Sequence, residues 1–145
     1  MKESLAKEWF RRVWNEEDAS AIDELFAEDG EAYGIYGEVM KGPKNFRMFH
    51  SAFCQMLHDI RIEVVDEVEN GDKLAIRCEG SATLAATGQS VPLTGTVIAE
   101  VRDRQLVRAW NNWDFVGLME AAGVLPTRCF ELLVSGKMTP HPQSQ

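Results

Sequence analysis

Apolar positions recur along this chain at two different periods, and the period changes near residue 59. Before that point it is helical. Leu5, Ala6, Trp9 and Val13 form one stripe, with Lys7, Glu8, Arg11 and Arg12 outside it, which predicts an amphipathic helix from Glu3 to about Asn15. Asp18 or Ser20 can cap a second short helix bearing Ile22, Leu25 and Phe26, closed by Asp29-Gly30. A short strand is expected over Glu31 to Tyr36, followed by a loop punctuated by Gly37, Gly42 and Pro43. A third helix, about Pro43 to Leu57, carries Phe46, Phe49, Phe53 and Leu57 at i, i+3, i+7 and i+11, a stripe that should face the core.

From Asp59 onward the period is two. Ile60, Ile62 and Val64 alternate with Arg61 and Glu63, and Asn70-Gly71 is a hairpin turn signal. Leu74, Ile76, Cys78, Gly80 and Ala82 continue the alternation on the return strand. After a loop at Gly88, Val91 to Arg102 forms a third long strand, turning at Asp103-Arg104 into a fourth that runs to Phe115. Phe115 to Ala122 reads as a short helix ended by Gly123, and Pro126 as the start of another. Helices first and hairpin-linked strands after them, without βαβ alternation, predict an α+β fold with an antiparallel sheet. A strongly bent sheet wrapped around three N-terminal helices would form a cone with an apolar cavity at its wide end, the place for a ligand. The domain is expected to span residues 1–136, with a polar tail over 137–145.

Composition narrows the partners. Of 145 residues 45% are hydrophobic and 26% charged, a globular balance, and the net charge of −8 opposes nucleic-acid binding, which needs clustered Lys and Arg. The apolar runs are too short to span a bilayer and Met1-Lys2-Glu3-Ser4 opens no signal-peptide pattern. Cys54, Cys78 and Cys129 are scattered and odd in number, so no disulfide framework or zinc motif is suggested. These readings predict a cytoplasmic protein without nucleic-acid or membrane partners. His50, Cys54 and His58 stand at i, i+4 and i+8, but the ends of that row lie about 12 Å apart along a helix. No further ligand motif accompanies them, and no metal site is predicted.

The last strand, Leu106 to Phe115, holds the candidate chemistry. Alternation places Trp110, Asn112 and Asp114 on one face and Asn111 and Trp113 on the other. Asp114 admits two readings: a carboxylate base raised in pKa by an apolar pocket with Trp110 and Asn112 beside it, or the N-cap of the helix that follows.

Several local patterns resemble the SnoaL-like polyketide cyclases, which share a cone-shaped fold with nuclear transport factor two and ketosteroid isomerase. They are Trp14-Asn15, Glu24 to Asp29, Gly42-Pro43, Asp59-Ile60-Arg61, the hairpin Glu69 to Arg77, Val91-Pro92-Leu93-Thr94-Gly95, and Trp110 to Asp114 followed by Leu118 and Gly123. The resemblance runs from about residue 5 to 126. It implies a cofactor-independent lyase or isomerase acting on a hydrophobic carbonyl compound by enolisation or aldol ring closure, with Asp114 as acid/base. It also implies a homodimer through the convex face of the sheet. The histidine that such cyclases often carry in a Gly-Thr-His segment would fall on Leu84, where His50 could stand in as proton donor. Tyr33 and Tyr36 are placed near the cavity rim, where a phenol could donate to a developing enolate. The alternative is a non-catalytic module holding a small apolar ligand in the same cavity.

Overall fold

The computed structural model describes residues 2–140, so the last five residues of the expected tail lie outside the described part. Ser4 caps α1 (Leu5–Trp9), its hydroxyl accepting from the Lys7 amide at 3.2 Å, and the helix continues as a π-helical segment, Phe10–Asn15. Asp18, not Ser20, caps α2 (Ala19–Leu25) by accepting from the Ser20 amide at 3.0 Å. Then follow β1 (Phe26–Tyr33), β2 (Met40–Lys41), α3 (Gly42–Met56), β3 (Leu57–Asn70), β4 (Lys73–Leu84), β5 (Ser90–Arg102) and β6 (Gln105–Trp113). Two short helices, α4 (Phe115–Ala121) and α5 (Cys129–Val134), end the chain.

The strands form a curled, unclosed sheet in the order β2-β1-β6-β5-β4-β3. Three hairpins, β3–β4, β4–β5 and β5–β6, are antiparallel as expected. The sheet as a whole is mixed, because β1 lies parallel to β6. That pairing joins segments about eighty residues apart with no turn between them, so no hairpin signal announces it. Phe26 also leaves the helix to which its spacing assigned it. Its amide makes a last helical bond to Ile22 O, then its backbone turns extended (φ −108°, ψ 123°) and the chain enters β1 directly. The ring is buried against Phe46 and Trp9, at 5.3 and 6.2 Å between centroids.

One continuous core fills the space between the helices and the concave face of the sheet. It contains the inward positions that the period-two pattern marked: Ile60, Ile62, Leu74, Ile76, Cys78 and Ala82. Burying each large aliphatic side chain in this way contributes about 1.5–3 kcal/mol before conformational entropy is counted. On α3 the phenylalanine stripe faces the same core, with Phe46 buried and Phe49 and Phe53 half-buried. Among the described residues no helix is long and apolar enough to cross a membrane.

Candidate functional site

β6 decides which side chains reach the interior. Leu106 is buried, and counting by twos from it would bring Arg108, Trp110, Asn112 and Asp114 inside. The strand does not keep that parity. Val101 pairs with Leu106 and Glu100 with Arg108, so Val107 is an extra residue, a β-bulge, on β6. The pairing of β6 with β1 shifts along the same stretch. A one-residue bulge turns every later side chain to the opposite face. After it, Ala109, Asn111 and Trp113 point inward, while Trp110, Asn112 and Asp114 share the outer face.

The interior space they border is an apolar pocket of about 80 Å³. Phe10, Trp14, Phe46, Phe49, Leu93 and Trp113 are among its walls. Its volume is about half that of an engineered cavity that accepts one benzene ring. Gly95 makes room for one wall: a Cβ there would stand 2.6 Å from the Trp113 ring, so only glycine lets the indole lie against β5. Gly34 does the same for the neighbouring edge. Its φ is +83°, and a Cβ would fall 2.0 Å from the Asn111 carbonyl oxygen.

One wall side chain, Asn111, is an amide. Its Nδ2 donates to Tyr33 O at 3.0 Å and its Oδ1 accepts from Trp113 Nε1 at 3.1 Å. Among the described residues no titratable side chain lines the pocket. Sequence reasoning nominated neither Asn111 nor Trp113, because alternation alone does not say which parity faces in. The charge of Arg108 was the available signal, since it shares a parity with Trp110, Asn112 and Asp114.

The nominated residues are distributed as follows. Asp114 is exposed and caps α4, Oδ1 accepting from the Gly117 amide at 2.8 Å, while its own amide donates to Thr94 O at 2.8 Å. Trp110 is 36% exposed on the outer face and stacks on Tyr33 with centroids 6.0 Å apart and planes at 10°. Asn112 is exposed beside them. Tyr36 is 61% exposed, is not among the pocket's lining residues, and makes an edge contact with the wall residue Phe49 at 5.3 Å between centroids. Leu84 is half-buried at the far end of β4, paired with Leu57. His58 is exposed on β3, away from His50 and Cys54.

His50 is 4% exposed, and its Nε2 donates to the Val13 carbonyl at 2.6 Å. A carbonyl can only accept, so Nε2 carries a proton and spends it on the backbone. The ring packs on Trp14 at 4.9 Å between centroids, and Cys54 Sγ lies 3.6 Å from the same nitrogen. Desolvation, with a smaller contribution from hydrogen bonding to Glu17, pushes the Cys54 thiol up to about 12. Burial alone pushes Cys78 up to about 12. Both are inert thiols at neutral pH. The π-helical segment is thus braced from two sides: His50 holds its Val13 carbonyl, and the Asn15 amide bonds both Ile62 O (2.9 Å) and Ile62 N (2.7 Å).

Comparison with known proteins gives a consistent picture. The structure resembles IdmH from Streptomyces antibioticus, a proposed polyketide cyclase, with 22% identity over 83% of this chain and 96% of that one and a TM-score of 0.71. It is similar to AclR from Streptomyces galilaeus, a proposed hydroxylase, with 22% identity, 84% and 95% coverage and a TM-score of 0.74. A protein of ketosteroid isomerase-like fold from Catenulispora acidiphila, solved with trimethylamine, matches with 14% identity, 86% and 96% coverage and a TM-score of 0.75. These likenesses concern the fold. No curated protein matches at the sequence level. Residues 6–109, most of the chain, match the SnoaL-like domain profile, and the protein therefore belongs to the SnoaL-like family.

Proposed function

We propose that this SnoaL-like protein binds one small apolar molecule in the pocket between its helices and the concave face of the sheet. The observation that supports this is the chemistry of the wall: among the described residues it is built of aromatic and aliphatic side chains with a single amide, and no group whose ordinary role is to move a proton. Small-molecule sites are concave and mostly apolar, with few polar groups to fix orientation. At about 80 Å³ the pocket needs side chains to move before it accepts a full ring, and the half-buried Phe49 and Phe53 stand in its wall. The test is titration with benzene, followed through the indole N–H resonance of Trp113. Saturable shifts of that resonance are expected; an unmoved Trp113 with benzene bound elsewhere or not at all sinks the proposal.

A second reading is the enolising enzyme, with Asp114 as base and His50 as acid on a hydrophobic carbonyl compound. Its support is the place of Asp114 in the chain, between Trp113 and Phe115, both wall residues. The carboxylate would have to leave the Gly117 amide, and His50 the Val13 carbonyl, before either acted. Turnover on a panel of aromatic ketones that disappears in Asp114→Asn, with melting temperature unchanged, would favour this reading over simple binding. A homodimer through the convex face would cover Ile98 and Trp110, which are 51% and 36% exposed and paired across β5 and β6. Sedimentation as a monomer at micromolar concentration would exclude it.

A further inference from the structure

The wall itself shows where the pocket comes nearest to solvent. A lining side chain that is also partly exposed marks such a place, and six do so: Ile35, Phe49, Phe53, Asn111, Trp113 and Phe115. Five of them are carried on regular structure. Phe49 and Phe53 lie on α3, Asn111 and Trp113 on β6, and Phe115 opens α4 behind the Asp114 cap. Ile35 alone lies on irregular chain, in the loop of residues 34–39 between β1 and β2. Among the described residues no backbone hydrogen bond holds Ile35, Tyr36, Gly37 or Glu38. The last three are exposed, and a Cβ added at Gly37 would meet nothing within 4 Å. The loop touches α3 through the edge contact of Tyr36 with Phe49. Its ends, by contrast, are fixed: Gly34 lies hard against the Asn111 carbonyl, and Met40 is buried and paired with Ala32. A segment with little burial and no backbone bonds opens at small free-energy cost while its surroundings stay folded.

Resting on the binding reading above, we propose that residues 34–39 are the gate of the apolar pocket and that the Ile35 side chain is its plug. The loop swings outward between its fixed ends, a small apolar molecule passes, and the helices and sheet keep their places. The size of the pocket fits this motion. At about 80 Å³ it accepts no ring until a wall side chain moves. Phe49 and Phe53 pack edge-on against Trp14, and Trp113 is bonded to Asn111, so displacing any of them breaks an existing contact. Ile35 can withdraw with its loop at the cost of no backbone hydrogen bond. A gate of this kind sets how fast a ligand enters and leaves, and it leaves the affinity of the closed pocket unchanged.

The experiment measures how fast benzene enters and leaves, from exchange broadening of the Trp113 indole N–H resonance at several benzene concentrations. Gly37 does not line the pocket, and the space around it admits a methyl group, so Gly37→Ala acts on the loop by narrowing the backbone freedom of its open forms. It should slow entry and exit together by about two- to fivefold, with affinity unchanged. Ile35→Ala removes the plug and should speed both by roughly tenfold. Equal rates in Gly37→Ala and the wild type, or acceleration by Phe53→Leu and not by Ile35→Ala, overturns the gate while leaving the apolar pocket standing. Failure of benzene to bind the wild type overturns the pocket reading and this inference together. If Ile35→Ala does not fold, Gly37→Ala, at an exposed position, decides alone.

Discussion

Replacing His50 by alanine separates a structural brace from a proton donor. The ring is 4% exposed, and its Nε2 takes up the Val13 carbonyl at 2.6 Å. That carbonyl lies in the last turn of the first helical unit, where carbonyls have no onward helical partner. Leaving it buried and unpaired costs about 1–3 kcal/mol. Truncating a buried ring packed between Trp14 and Cys54 adds about 2 kcal/mol, at the low end for large-to-small core changes. The sum is at least about 3 kcal/mol, and for a chain of this size each kcal/mol moves the melting temperature by roughly 2–4 °C. Thermal unfolding followed by circular dichroism should therefore show a fall of about 6–12 °C for His50→Ala. His50→Gln carries an N–H at a comparable reach and should recover roughly a third to a half of the loss. A melting temperature for His50→Ala within about 2 °C of wild type, or a glutamine variant no better than alanine, would refute the brace.

Three further outcomes follow from the same geometry. Asp114→Ala should lower stability by about 1 kcal/mol, the usual worth of an N-cap, while Asp114→Asn, an equally good cap, should melt within a degree or so of wild type; a silent alanine variant would show that the cap contributes nothing. Glu24 and Asp18 are held below their usual pKa, Glu24 by hydrogen bonds and charge attraction from Arg12, Asp18 first by the Ser20 hydroxyl, next by the Ser20 amide and then by Arg12. For depressed carboxylates the stabilisation is complete above the unfolded pKa of about 4 and is lost as pH falls through the folded value. Arg12→Met should therefore flatten the decline of melting temperature below about pH 4.5, and an unchanged slope would contradict the ion-pair account. Cys54 and Cys78, with thiols pushed up to about 12, should resist iodoacetamide at pH 8 in the folded protein, where roughly one thiol in ten thousand is ionised, and react on unfolding.

Periodicity carried most of the fold. The phenylalanine stripe of α3 and the alternating residues of β3 and β4 lie where their spacing put them, because burial on one face is a local demand that each segment expresses by itself. The parallel partnership of β1 and β6 is not local, and nothing in residues 26–33 encodes it. The site was harder to read for a similar reason. Trp110, Asn112 and Asp114 do share a face, yet the bulge at Val107 makes it the outer one, and a bulge is a property of two strands in register. Asp114 was open between base and cap on sequence alone; its bond to the Gly117 amide supplies the cap. Gly95, by contrast, belonged to a segment singled out in the sequence, and its physical meaning is the space it leaves for Trp113.

The most direct test of the account is whether an inert apolar probe enters the pocket. Xenon is small enough for about 80 Å³, makes no hydrogen bonds, and occupies dry apolar cavities. A crystal of the protein pressurised with xenon should show an atom inside the cone, in contact with Phe10, Trp113 and Phe115. Ordered water bonded there to Asn111 with xenon excluded, or wall side chains filling the space, would contradict the account.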